Sequence, residues 1–281
     1  MTATVPATVP ATVPSTVTVG VSLKMYFGQS EARAWFARVA ELVRSPRGAA
    51  VMDGAVELFV IPGYLAIAPA REAFAGTPVL VGAQDLSTED SGALTGEVSP
   101  SELADVGVQV AEVGHAERRR LFGETDQIVA AKTAAALRNG IVPVLCLGES
   151  EAGTADQAAA FVVTQLHDAL AGAASGRVIV AYEPVWAIGA AEPAGVDHIV
   201  TVARALRSAL DALPDRGGSS VVYGGSAGPG LLTRLAGEEN SPVDGLFLGR
   251  FAHDPAALGA VLAEAAQLAA RRATRSAEPR A

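Results

Sequence analysis

A carboxylate held beside an indole at the end of an apolar run is well placed to take a proton. The segment Arg177-Val-Ile-Val-Ala-Tyr-Glu-Pro-Val-Trp-Ala-Ile-Gly189 offers that arrangement. Its β-branched start reads as a buried strand. Glu183 falls at the strand's end, Pro184 stiffens the exit and Trp186 follows. Weak solvation favours the protonated form of a carboxyl group, which suits a general base. An ordinary strand-end glutamate is the plain alternative. Other reactive groups also stand where apolar runs stop: Lys24 after Val17–Leu23, His115 and Glu117 after Val108–Val113, and Ser226 after Val221–Tyr223. Gly249 and Arg250 follow Gly245–Leu248 in the same way. Small residues at Gly189, Ser226 and Gly249 permit close backbone approach to a ligand, and Arg250 offers either a charged contact or a solvated side chain. Glu112 interrupts the fourth apolar run; a position facing a helix layer or an ion partner would account for it.

Strand-like and helix-like stretches alternate to carry these groups. Val56–Ile61, Val79–Ala83, Ile141–Leu147 and Val178–Tyr182 complete the set of strand-like runs. Helical patterns fall between them, from Glu31–Val43 to Pro255–Ala270. Repeated alternation predicts a parallel α/β architecture, and periodicity alone leaves a closed barrel and an open doubly wound sheet both possible.

Composition narrows the class. The chain has 281 residues, half of them apolar and 18% charged, enough for a sizeable core. A net charge of −9 argues against a nucleic-acid surface. Cys146 is the single cysteine, and no Cys/His cluster suggests a metal. No apolar run reaches membrane-spanning length. The start repeats Ala-Thr-Val-Pro without a basic segment, a poor signal peptide, so residues 1–16 read as a disordered extension and the location as cytoplasmic. Residues 271–281 read as a disordered tail, which leaves 17–270 as one domain.

The segment around Glu183 resembles the catalytic glutamate and hinged lid of the triosephosphate isomerase family. Val113-Gly-His-Ala-Glu-Arg-Arg119 resembles that family's Gly-His-Ser-Glu-Arg-Arg block, with Ala116 for the serine. Tyr223-Gly-Gly-Ser226 is similar to its phosphate-binding turn, and Gly82–Asp85 with Thr95–Pro100 to its dimer loop. The apolar run into Cys146-Leu-Gly-Glu149 is family-like too, so the resemblance spans roughly residues 17 to 270. It implies a single-domain (β/α)8 barrel and a homodimer joined through residues 84–99. It implies Glu183 as base and His115 as electrophile, a neutral histidine of the kind for which triosephosphate isomerases are the standard example. Lys24 would stabilise the oxyanion and Glu117 would support it, by catalysis or as a structural ion pair. Gly189, Ser226 and Gly249 would hold phosphate, and residues 187–194 would form a lid, stiffened by Ala191 and Pro193. No cofactor and no metal are called for.

Several positions depart from the family pattern. Ser22 stands for asparagine, Leu23 for tryptophan, Asp85 for asparagine and Arg250 for the second glycine of the phosphate loop. Ser22 frees volume at the carbonyl end of the pocket. A branch of the family, the tetrulose-phosphate isomerases of erythritol breakdown, resembles this pattern better. L-erythrulose 1-phosphate is dihydroxyacetone phosphate with a hydroxymethyl group on the reacting carbon, and the resemblance implies its conversion to D-erythrulose 4-phosphate. Triosephosphate isomerisation, and a barrel that binds without catalysis, are the alternatives.

Overall fold

Residues of one strand alternate between two apolar environments. Val19 and Val21 face helices, whereas a Cβ on Gly20 would strike the ring of Phe59 inside the barrel. That period of two organises the whole chain. The computed structural model describes residues 16–190, 192–237 and 241–277. Residues 1–15 of the expected extension, Ala191 of the lid and residues 278–281 of the tail lie outside the described residues.

The strands are β1 (Val17–Ser22), β2 (Val56–Ile61), β3 (Leu80–Ala83), β4 (Val110–Val113), β5 (Val142–Leu147), β6 (Ile179–Tyr182), β7 (Ser220–Tyr223) and β8 (Gly245–Leu248). All neighbouring pairs are parallel, and Thr18 opposite Gly245 closes β8 onto β1. The result is a closed barrel of eight strands rather than an open sheet. Phe59, Val110, Val144, Ile179, Val222 and Phe247 fill its interior.

Ten helices are described: α1 (Gln29–Arg44), α2 (Ala49–Met52), α3 (Ile67–Ala73), α4 (Pro100–Asp105), α5 (Ala116–Phe122), α6 (Asp126–Arg138), α7 (Ala155–Leu170), α8 (Val196–Asp211), α9 (Leu231–Ala236) and α10 (Pro255–Ala277). In α1, Ala32, Trp35, Phe36, Val39, Ala40 and Val43 form the buried stripe that a 3.6-residue period requires. Full burial of a side chain such as Phe36 contributes about 1.5–3 kcal/mol. Thr154 and Gln157 cap the start of α7 reciprocally. No helix among the described residues is long and apolar enough to cross a membrane.

One expectation is corrected here. The tail does not begin at residue 271, because α10 continues to Ala277. Arg272 makes this extension part of the fold: it donates to the carbonyl of Val243 at 2.9 Å and to buried Asp244 at 3.3 Å. Short α5 was not foreseen; none of its residues is buried, so it has no apolar stripe to reveal it.

Asp85, the departure within the dimer-loop sequence, points into the fold. Lys132 Nζ donates to its two carboxylate oxygens at 2.6 and 2.7 Å and to Glu124 Oε1 at 2.5 Å. Arg118 Nε pairs with Asp85 at 2.7 Å. Lys132 is 5% exposed, so Lys132→Met would leave buried carboxylates short of a partner. We expect a loss of about 3–5 kcal/mol in urea unfolding. A change under about 0.5 kcal/mol, the scale of an ordinary surface substitution, would show the cluster to be dispensable.

Candidate active site

The next inward layer, one step toward the C-terminal mouth, carries the chemistry. Two residues on from interior Gly20, Val110, Val144, Ala181 and Val222 stand Ser22, Glu112, Cys146, Glu183 and Gly224. Gly224 must lack a side chain, because a Cβ there would lie 2.5 Å from Glu183 Cγ. Glu183 itself is 6% exposed.

His115 reaches the same place by a different route. Gly114 takes a left-handed φ of 74° and turns the chain out of β4. His115 then caps α5, and its Nδ1 accepts the backbone N–H of Glu117 at 3.1 Å. A nitrogen that accepts carries no proton, so the ring is the neutral tautomer with its hydrogen on Nε2. That Nε2 lies 3.5 Å from Glu183 Oε2, 3.8 Å from Glu112 Oε1 and 3.3 Å from Lys24 Nζ.

Lys24 has a φ of 47°, the one left-handed residue other than glycine among those described. Such a backbone costs on the order of 1–3 kcal/mol, a strain that collects at functional sites. Gln84 Nε2 holds it by donating to the Lys24 carbonyl at 2.7 Å. Lys24 Nζ donates to Glu117 Oε1 at 2.9 Å. Burial works against the ammonium, but the hydrogen bond and charge of Glu117 outweigh it, aided by Glu183 and Glu112, and its pKa is raised. The site therefore keeps a fixed positive charge at neutral pH.

Glu112 does not face the helix layer, and the cation whose charge it feels is Lys24. Glu112 points into the barrel mouth, 4% exposed, and Ser22 Oγ donates to its Oε2 at 2.9 Å. Burial first, and then the charge of Glu183, push its carboxyl above the usual range, against the hydrogen bond from Ser22 and the charge of Lys24. The signal that would have placed it was its phase: it lies two residues from Val110, which fills the interior. Cys146, also unassigned from sequence, packs beside Glu183. Burial and then the charges of Glu183 and Glu112 keep its thiol protonated.

Ser22, Lys24, Glu112, His115 and Glu117 line one cavity of about 560 Å³. Glu183 borders a separate small void with Cys146, and its Oε2 lies 3.5 Å from Nε2 of His115 in the cavity wall. Gly189, Ser226, Gly249 and Arg250 are not in the cavity wall; they sit on the loops after β6, β7 and β8. Ser226 Oγ donates to the carbonyls of Ala187 and Ala190 at 3.2 and 2.7 Å, so its hydroxyl holds the expected lid. Trp186 Nε1 donates to Glu149 at 2.7 Å and Ala194 N to Tyr223 Oη at 3.1 Å, which ties the two ends of that segment. The side chain of Arg250 is exposed.

A neutral imidazole N–H and an ammonium on one cavity, with a buried carboxylate 3.5 Å from that imidazole, suit proton transfer beside a carbonyl. The family model described as Triosephosphate isomerase matches residues 17–265. The chain belongs to the triosephosphate isomerase family. It is similar to L-erythrulose-1-phosphate isomerase of Pectobacterium atrosepticum, 47% identical over 90% of this chain and 97% of that one. L-erythrulose-1-phosphate isomerase of Mycolicibacterium smegmatis is 40% identical over 83% of this chain and 87% of its own length. Triosephosphate isomerase of Symbiobacterium thermophilum is 37% identical over 90% and 98%.

Family membership makes this protein an isomerase, and the geometry generates a test of its base. Glu183→Gln keeps the shape of the side chain and removes the proton acceptor. Turnover of a phosphorylated hydroxyketone should fall roughly 10²–10⁴-fold with binding retained. Turnover close to wild type would remove Glu183 from that role.

Proposed function

We propose that this protein converts L-erythrulose 1-phosphate to D-erythrulose 4-phosphate, moving the carbonyl from C2 to C3 through an enediolate. Glu183 takes the proton from C3, the C–H electron pair forms the C2–C3 double bond, and charge moves onto the C2 oxygen. His115 Nε2–H and the Lys24 ammonium stabilise that oxygen. Glu183 then returns the proton to C2, and the imidazole relays protons between the two oxygens. Gly189, Ser226 and Gly249 present backbone N–H groups to the phosphate, and Arg250 adds charge at the rim. Glu117 holds Lys24 in place.

The observation that carries the tetrulose reading is the carbonyl end of the pocket. There Ser22, bonded to Glu112 at 2.9 Å, stands where the family pattern has a larger amide side chain. The relatives named for L-erythrulose 1-phosphate support it. Triosephosphate isomerisation is the competing reading, favoured by the relative that carries that name.

Two measurements test this. Wild type should show a higher kcat/KM on L-erythrulose 1-phosphate than on dihydroxyacetone phosphate. Ser22→Asn should lower the tetrulose value selectively, by roughly 10–200-fold, the usual effect of one misfitted group. Preference for the triose, or an equal loss on both substrates, would replace this reading with triosephosphate isomerisation.

The same proposal includes a homodimer joined through residues 84–99. Ser87 N donates to Val98 O at 2.8 Å, which fixes the stem of this loop, and its tip from Ser91 to Glu97 is exposed. Met25 and Leu65, 96% and 87% exposed, line the catalytic cavity and offer apolar surface to a second copy. Deleting the loop tip should give monomers of poor activity. A fully active monomer in sedimentation would refute the dimer.

A further inference from the structure

Glu112 is an ionisable side chain buried at the mouth of the barrel, directly above its apolar interior. Below it stands Val110 and beside it, in register on β5, Val144, both of the apolar interior cluster that also holds Phe59 and Ile179. Taking a carboxyl group out of water without a cation costs several kcal/mol, so its presence calls for a partner. Ser22 Oγ satisfies only Oε2, at 2.9 Å. The other oxygen, Oε1, faces His115 Nε2 from 3.8 Å, beyond hydrogen-bond length. Both Ser22 and Glu112 line the cavity that holds Lys24 and His115.

The reaction assigns a direction to each group on the reacting carbon. Its hydrogen must point to Glu183 and its oxygen to His115 Nε2. The chain toward the phosphate runs to the loops after β6, β7 and β8. The fourth substituent is left with the opposite side of the mouth, between β1 and β4, where Ser22 and Glu112 stand. In a tetrulose phosphate that substituent is a hydroxymethyl group. Its oxygen is vicinal to the oxygen at Nε2, and vicinal oxygens can approach to about a hydrogen-bond length. Glu112 Oε1 lies 3.8 Å from Nε2, a distance the second hydroxyl can span.

We propose that Glu112 is the residue that selects the tetrulose, by hydrogen-bonding the C4 hydroxyl of L-erythrulose 1-phosphate while Ser22 holds its carboxyl group in place. This rests on the tetrulose reading above and names the group that enforces it. A hydroxyl both donates and accepts, so the contact forms whether the carboxyl group is ionised or protonated. A triose phosphate has no such hydroxyl and leaves Glu112 Oε1 without its partner. Sites built around a substrate hydroxyl reject the analogue that lacks it for this reason.

The test crosses enzyme and substrate deletions. Wild type, Glu112→Val and Glu112→Gln are assayed on L-erythrulose 1-phosphate, its 4-deoxy analogue and dihydroxyacetone phosphate. On wild type, the 4-deoxy analogue should lose roughly 10–200-fold in kcat/KM. Glu112→Val should lose a similar factor on the full tetrulose and little on the other two, while Glu112→Gln keeps most activity. Equal turnover of the tetrulose and its 4-deoxy analogue by wild type would overturn the contact even if the valine variant fails to fold. A loss of equal size on all substrates in Glu112→Val would also overturn it and make Glu112 a positioning residue for His115. Wild type inactive on L-erythrulose 1-phosphate but active on the triose would instead defeat the tetrulose reading, and this assignment with it.

Discussion

Closing eight parallel strands into a ring leaves the inside with room for stacked layers of side chains and little else. Each strand contributes every second residue to that stack. The middle of the stack here is apolar, with Phe59 and Phe247 packed at 5.6 Å between ring centroids. Ser22, Glu112 and Glu183 are the polar side chains of the inward phase at the mouth, where ligand can reach them, whereas Thr18, Glu57 and Ser220 share that phase at the opposite ends of their strands. The apolar plug beneath the mouth residues gives their orientation a fixed floor.

Charge in this layer is unevenly divided. Glu112, Glu117 and Glu183 surround His115, and Lys24 is the cation beside them. A net charge of −9 does not by itself exclude an anionic ligand, because the ammonium of Lys24 gives the cavity a local charge of opposite sign to the overall one. Neutrality of His115 fits this balance. With Nδ1 taken up by the Glu117 backbone, the imidazole offers a hydrogen at Nε2 without adding charge.

Most of this was legible in the chain. The strand-end positions of Lys24, His115 and Glu183 follow from apolar runs that stop abruptly, and the barrel places strand ends together. The direction of Glu112 was harder to read, because β4 is buried on both faces and shows no alternation of polar and apolar residues. Only the inward phase of Val110 reveals it, and that phase is a property of the closed ring. α5 lies outside the core with no buried residue, so propensity and pattern carried no signal. At the C-terminus, consecutive Arg271 and Arg272 read as a solvated tail. The aliphatic stem of an arginine can cross apolar surface to a buried carboxylate, here Asp244.

The bond from Ser22 to Glu112 joins β1 to β4, strands that are not neighbours in the ring. Two residues distant in sequence thus share one polar interaction across the mouth. A serine introduced alone, opposite an apolar residue on β4, would open a hole and leave its hydroxyl without this acceptor. A glutamate introduced alone would bury a carboxyl group without this donor. Contacting residues of this kind are non-additive, each change mattering most when the other is present. Divergence between pockets of the two types is then an epistatic path, in which the second substitution repairs what the first one damages.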